Sequence, residues 1–379
     1  MNKLDILIFK QYSSDTDSFI EDILDYKSNS VILIVDFDKI MVRYKPSNIN
    51  FKKNTILLFK TKSYKLNYYI SPLIVFINMV KILKLFSFIC WRYRPKVFWV
   101  ENSYAALIVG FLRKCHLCGK SIYLPGDWVA IKGNKKKLLS YVGNNLVFPI
   151  LDYLACKLND VVLNHTKKIA EARYKFWGKK IAKKEKLYLY QPRIKISNIP
   201  PNKMNKNICF IGQMRKESGL DLAIKALSKI RQHQDISLII IGPKTQYYEY
   251  FRRLSKQYHV EPHVKFLGFV ETDRFINILS DCFCGINLLI VKDTYSFYTI
   301  PGKIMHYIQY LLPVIATEGT GYFSSVLKDN ELGLVIEASE TEFINAVYKI
   351  YHEQREYRNN IIKYINSFPK VDIKELIED

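Results

Sequence analysis

SFYTIPGKIMHYIQYLLPVIAT, residues 296–317, is the stretch whose reading decides the fold. It opens as a polar, aromatic loop. Pro301 stands where a helix begins, and proline suits the first helical turn because its missing N–H is unused there. Ile304, Tyr307, Ile308 and Leu311 follow at helical spacing. Pro313 ends the helix, and Val314–Thr317 reads as a short buried strand. A loop–helix–strand unit of this kind sets the free N–H groups and positive end of a helix beside Lys303. Such a corner suits a phosphate or a diphosphate. The same residues also describe an ordinary strand–helix unit with a solvated lysine, and periodicity alone leaves both readings open.

Working outward, the second half alternates in the same way. Strands are predicted at Asn207–Ile211, Ile236–Ile241, Val264–Leu267, Cys284–Ile290 and Gly333–Ile336. The first three are each followed by a glycine: Gly212, Gly242 and Gly268. Helices are predicted at Leu220–Ile230, Gln246–Tyr258, Thr272–Leu279, Glu340–Tyr351 and Arg358–Phe368. In the first half, strands are read at Leu4–Phe9, Val31–Asp36, Thr55–Phe59, Val97–Glu101 and Ser121–Leu124. Ser14–Tyr26 and Ala105–Leu117 read as helices. Strand–helix alternation specifies parallel sheets covered on both faces. The polar, proline-containing Ser197–Lys206 is the best linker. The fold class is therefore α/β: two Rossmann-like, doubly wound domains facing each other across a cleft. Residues 1–198 form the first and 205–355 the second. Residues 356–379 are a helical tail that packs back on the first domain.

Charge separates the halves. Met1–Pro200 carries 35 basic and 14 acidic side chains, a net +21 of the chain's +22. One half therefore faces something anionic, whether a lipid surface, a phosphorylated carrier or a nucleic acid. No RNP, helix-turn-helix or zinc-finger pattern supports nucleic acid. No apolar run reaches the length of about 20 residues that spans a bilayer, and none reads as a cleavable leader. Tyr68–Trp91 is long, apolar and aromatic, interrupted by Lys81 and Lys84. It reads as a core helix, with its aromatic edge able to meet a membrane. The seven cysteines have no framework spacing, and the Cys115–Cys118 pair has no second pair to complete a zinc site. A reducing compartment fits this usage.

Two further groups stand out. Asp127, in Pro125-Gly126-Asp127-Trp128 just past a strand end, is placed to act as a general base, or is a turn aspartate. Lys135, Lys136 and Lys137, with Lys175, Trp177, Lys179 and Lys180, form a lysine-rich aromatic patch that suits an anionic membrane surface or an acceptor. The bland alternative for this patch is a solvated basic face.

The succession ICFIGQMRKESGLDLAIKAL, LIIIGP, VKFLGFV, CGINLLI, IPGKIMHYIQYLLPVIAT and NELGLVI over Asn207–Tyr351 resembles the donor domain of GT-B glycosyltransferases of the family 4 type. The layout also looks like that of membrane-associated enzymes acting on polyprenyl-diphosphate carriers, such as the xanthan glucuronosyltransferase. The resemblance implies that Gly212 admits the donor, and that Arg215, Lys216 and Lys303 meet its diphosphate. Gly319 then lies in a loop near the donor, and Asp127 matches the acceptor base. Retaining members carry two glutamates eight positions apart. Tyr298 and His306 stand there instead, and the usual Lys-Gly reads Ser218-Gly219. The glycine-rich loop after the first strand is replaced by KQYSSD, Lys10–Asp15.

The resemblance thus implies transfer of a sugar from a nucleotide-diphosphate donor to a glycan or polyprenyl-linked acceptor in surface polysaccharide synthesis. It implies no cofactor and no metal, and a cytoplasmic enzyme peripheral on the inner face of the plasma membrane, with no nucleic-acid partner. The competing expectation is a catalytically degenerate GT-B scaffold that binds membranes or polyanions.

Overall fold

The computed structural model describes residues 6–10, 31–36, 55–60, 72–126, 128, 141–187, 206–290, 298, 301–367 and 373–378. The chain divides into two compact units, residues 1–190 with 370–379, and residues 191–369. Each is built on one all-parallel sheet, as the strand–helix alternation predicts.

In the first unit the strands are β1 (Ile6–Lys10), β2 (Val31–Asp36), β3 (Thr55–Lys60), β4 (Val97–Glu101), β5 (Lys120–Leu124), β6 (Val161–Asn164) and β7 (Glu185–Leu187). Their order is β3-β2-β1-β4-β5-β6-β7. The chain returns from β3 to β4 through helix α1 (Pro72–Tyr93), then steps outward through α2 (Ser103–Lys114), α3 (Phe148–Leu158) and α4 (Lys167–Trp177). All four connections move in one direction across the sheet, so right-handed crossovers put all four helices on one face. α1 packs on α2 and α2 on α3. The rings of Tyr153 on α3 and Trp177 on α4 lie 4.9 Å apart. Val97, Phe98, Trp99 and Val100 are all buried, the pattern of a central parallel strand covered on both faces. Asn102, in the left-handed region at φ 85°, caps α2 by accepting the Ala105 N–H at 3.2 Å.

A polar cluster sits inside this unit. Arg173, 2 % exposed, donates through Nε to Asp152 Oδ2 at 2.6 Å and through Nη2 to Oδ1 at 3.3 Å. Asn164 at 3.0 Å and Glu185 at 3.3 Å accept from its Nη1, and Tyr123 donates to Asp152 Oδ1 at 2.8 Å. This ties β5, β6, β7, α3 and α4 together at one place. The last helix of the chain, Ile373–Glu378, belongs to this unit, with Lys186 Nζ 2.6 Å from Glu375 Oε1.

The second unit has strands β8 (Asn207–Ile211), β9 (Ser237–Ile241), β10 (Val264–Gly268), β11 (Cys282–Asn287), β12 (Val314–Thr317) and β13 (Gly333–Ile336). The sheet order is β10-β9-β8-β11-β12-β13. Helices α5 (Leu220–Ile230), α6 (Tyr248–Gln257), α7 (Thr272–Ser280), α8 (Gly302–Gln309), α9 (Tyr322–Asp329), α10 (Glu340–His352) and α11 (Gln354–Ser367) connect and flank them. Leu220, Ala223, Ile224, Leu227 and Ile230 of α5 are buried at helical spacing, so its apolar stripe faces the core. Cys282 and Cys284 are buried in β11, as their strand-like alternation suggests.

Candidate functional site

In the second unit, successive strands step away from β8 to one side through β9 and β10, then resume on its other side at β11. The strand order therefore reverses between β8 and β11, and ligands of open α/β sheets gather beyond the carboxyl ends of strands at such a point. Three devices meet there. β8 ends in Gly212 at φ 127°, and β9 in Gly242 at φ 154°, backbone conformations that favour glycine. A side chain on Gly242 would strike the Gly212 carbonyl oxygen at 2.0 Å, so the two strand ends close tightly on each other. The Gly212 N–H donates to the Ile241 carbonyl at 2.8 Å, and the Gly242 N–H to the Gly268 carbonyl at 3.0 Å.

Helix α8 brings the cation. Its N-terminus follows Pro301 and has no side-chain cap, so its first N–H groups remain for another acceptor. Tyr307, fully buried, anchors it. The Ile211 N–H donates to the Tyr307 hydroxyl at 2.9 Å, and that hydroxyl lies 3.2 Å from the carbonyls of Cys209 and Ile286. The helix is thereby pinned to β8 and β11 together. Gly285 makes room, since a Cβ there would sit 2.4 Å from the Tyr307 ring. One turn before Tyr307, on the same helix face, Lys303 holds its Nζ 4.4 Å above the Phe210 ring. A Cβ on Gly212 would lie 3.7 Å from that nitrogen. Among the described residues Lys303 has no carboxylate partner. Burial, and then the guanidinium of Arg215, pull its ammonium down to about 8. Two cations that oppose each other beside an uncapped helix N-terminus suit an anion carrying more than one charge.

The other sequence-predicted residues fall as follows. Arg215 is exposed and braced by Gln213 Oε1, at 3.1 Å from Nε and 2.6 Å from Nη2. Lys216 is exposed next to it. Ser218 and Gly219 are buried where the expected Lys-Gly is missing; Ser218 Oγ donates to the Arg215 carbonyl at 2.6 Å, and a Cβ on Gly219 would meet the Leu288 carbonyl oxygen at 2.2 Å. The serine thus braces the Arg215 turn. Gly319 is buried against Leu289 in the turn after β12. Asn287, at the end of β11, donates to Thr320 Oγ1 at 3.1 Å and so ties that turn to the switch point. Tyr298 is half-buried in a turn. His306 is half-buried on α8, its ring edge-on to Phe275 at 5.6 Å.

In the first unit, Asp127 and Lys135, Lys136 and Lys137 lie outside the described residues, as do Ser14–Tyr26 and residues 11–15 after β1. The neighbour of Asp127, Trp128, is buried, 5.5 Å from the Phe148 ring and 5.7 Å from the Phe176 ring, with the Arg173 guanidinium 6.0 Å from its own ring centre. Lys175, Lys179 and Lys180 are exposed on and after α4, while Trp177 is half-buried between Tyr153 and Phe176. Among the described residues no group of three His, Cys, Asp or Glu side chains is arranged to hold a metal ion.

Sequence reasoning missed Tyr307 as an anchor, and missed Asn287 and Phe269. Tyr307 reads as one more apolar position in a helix. Phe269 is 79 % exposed one residue past β10, the strand whose Gly268 carbonyl accepts from Gly242. A large aromatic directly after a predicted strand and its glycine was the available signal.

Two doubly wound, all-parallel units with this site on the second are the GT-B fold of glycosyltransferases. Residues 193–368 match the family model described as glycosyl transferases group 1. Solved structures with the same fold include sucrose-phosphate synthase from Thermosynechococcus elongatus, at TM-score 0.69 and 12% identity over 96% of this chain and 94% of that one. Anabaena HepE in complex with UDP aligns at TM-score 0.63 and 14% identity over 96% and 95%. The E. coli trehalose-6-phosphate protein bound with UDP-2-fluoro glucose aligns at 0.66 and 10% over 96% and 95%. No curated protein sequence matches the chain. The second unit thus matches the glycosyl transferases group 1 family, the fold is that of GT-B glycosyltransferases, and the protein is a glycosyltransferase.

Proposed function

We propose that the protein moves a sugar from a nucleotide-diphosphate sugar to a hydroxyl of a lipid-linked saccharide, at the inner face of the plasma membrane, in the assembly of a cell-surface polysaccharide. The observation that carries the donor half is Lys303: a largely enclosed ammonium with a second cation nearby and no carboxylate among the described residues. A diphosphate supplies the missing negative charge. Solved structures with this fold carry UDP, UDP with glucose, and UDP-2-fluoro glucose, which supports a nucleotide sugar as the ligand here.

In this reading Lys303, Arg215 and the α8 N-terminus hold the diphosphate against Gly212, with Lys216 and the Gly319 turn beside it. Phe269 offers its ring to the nucleotide base, two strands from β8. His306 and Tyr298 take the positions facing the ribose and the sugar. Asp127 accepts the proton of the acceptor hydroxyl while that oxygen bonds to the anomeric carbon. The bond from the anomeric carbon to the diphosphate oxygen breaks, and the nucleoside diphosphate leaves with the electron pair. Charge grows on that oxygen in the transition state, where the two cations and the helix N–H groups lower the barrier most. No step requires a metal.

The acceptor half rests on charge and composition. The first 200 residues hold nearly all the net positive charge, which suits a phosphorylated lipid carrier at an anionic membrane. Transfer from a labelled nucleotide sugar to membrane extracts tests the whole reading. Asp127→Asn should lower turnover by about 100-fold or more and leave donor binding unchanged. Near-normal turnover in that variant removes Asp127 from the mechanism.

A further inference from the structure

The exposed large apolar side chains are distributed very unevenly. On α1 the outer face presents Phe76, Val80, Leu83, Phe88 and Trp91, with Phe76 64 % and Trp91 65 % exposed. The opposite face of the same helix, with Ile82, Phe86, Ile89 and Cys90, is buried in the core. α1 therefore carries large apolar side chains on both faces, and those of the outer face are not covered by any described residue. The neighbouring helices continue the surface: Phe111 is exposed on α2, and Leu146, Ile150 and Leu154 on the π-helical turn before α3 (Gly143–Val147) and on α3 itself. Among the described residues of the second unit only Tyr250, Phe269 and Ile290 are comparable.

The charges on this layer have one sign. Lys84 and Arg92 on α1, Lys114 on α2 and Lys157 on α3 are exposed. α1 and α2 contain no acidic residue, and the one on α3, Asp152, is buried against Arg173. A second copy of the chain would set like charges against like across such a face. An anionic bilayer is complementary to it in both respects. Aromatic rings settle at the boundary between head groups and acyl chains, and lysine and arginine meet the lipid phosphates above. No described helix is long and apolar enough to cross a membrane, so the helix lies on the surface.

We propose that the outer face of α1, continued by Phe111 and by the exposed leucine and isoleucine side chains of α3, docks the protein on an anionic lipid bilayer, with Phe76, Phe88 and Trp91 inserted below the head groups. This rests on the reading of the acceptor as membrane-bound and assigns the contact to α1 rather than to the lysine run on α4.

Tryptophan fluorescence tests it without relying on turnover. Of the four tryptophans, Trp99 and Trp128 are buried and Trp177 is half-buried, so Trp91 dominates any response to lipid. Phosphatidylglycerol vesicles with brominated acyl chains should quench and blue-shift the emission of the full-length protein. Trp91→Phe should abolish that change. Phosphatidylcholine vesicles should give a much smaller one, and added salt should weaken binding. The double variant Phe76→Ser/Phe88→Ser, at exposed positions, should lower vesicle partition by about 10-fold or more while melting at the same temperature as the wild type. Equal quenching in Trp91→Phe, or no quenching in the wild type, overturns the proposal. So does a dimer in light scattering that the double variant dissociates, since the face is then a contact between copies. Vesicle binding through α1 in a protein that no nucleotide sugar stabilises would uphold the docking face and remove the transferase reading.

Discussion

Lys303 illustrates how an enclosed cation costs stability. Its ammonium is enclosed and faces Arg215 rather than a carboxylate, which pulls its pKa from 10.5 down to about 8. Below pH 8 the amine is protonated in both folded and unfolded chains, and folding bears the full penalty of burying the charge. Between about 8 and 10.5 the unfolded chain holds more protons, so stability rises with pH until the penalty is gone. Without donor, Lys303→Met should therefore melt higher than the wild type at pH 7, by about 2–4 °C for each kcal/mol relieved. The gap should close above about pH 10, and thermal melts across that range check it. Arg173 works in the opposite sense. Asp152 more than offsets the cost of burying its guanidinium, so Arg173→Met leaves a buried carboxylate without its main partner and should cost about 3–5 kcal/mol in denaturant unfolding. The place of Lys303 at a helix start was legible in the sequence, because Pro301, Gly302 and the helical spacing behind it mark that start. Arg173 was not. It reads there as one more cation in a lysine-rich run, and only the fold brings Asp152, 21 residues away, against it.

At the scale of elements, α8 shows why a helix of eight residues can hold a site rigidly. Tyr307 reaches past the helix to the ends of β8 and β11, and Lys303 inherits that placement one turn earlier. Tyr307→Phe removes the acceptor for the Ile211 N–H. A buried donor left unpaired costs about 1–3 kcal/mol. The variant should therefore unfold at lower denaturant and bind donor about 5–10-fold more weakly by calorimetry, although it touches no ligand. Strands and helices with strong local signals were legible: Val97–Glu101, Asn207–Ile211, Leu220–Ile230 and Gly333–Ile336 have the bounds the patterns predict. Several unread elements have local causes. β6 and β7 are strands of four and three residues, and α4 is so rich in lysine that its few buried side chains, Ile169 among them, are hidden in a charge run. α9 buries only a narrow apolar stripe. α1 was legible as a helix, and the exposed aromatic edge allowed for it in the sequence is present in the structure.

For the whole molecule, the two halves differ sharply in charge. The first half carries a net +21 and the second +1, a split that no packing need explains and that suits an anionic surface on one side only. The architecture was legible because strand–helix alternation and a glycine past three of the strands mark the elements in the sequence itself. The donor sugar and the acceptor depend on side-chain geometry that no spacing encodes. The central claim is that the second unit binds a nucleotide-diphosphate sugar through Lys303, and a thermal-shift panel of nucleotide sugars on the wild type and Lys303→Ala tests it most directly. At a hundredfold excess over Kd, one donor should stabilise the wild type by about 2.7 kcal/mol, a rise of about 5–10 °C, and the variant should lose most of that response. A panel in which no nucleotide or nucleotide sugar shifts the wild type, or in which Lys303→Ala responds as strongly, would contradict the account.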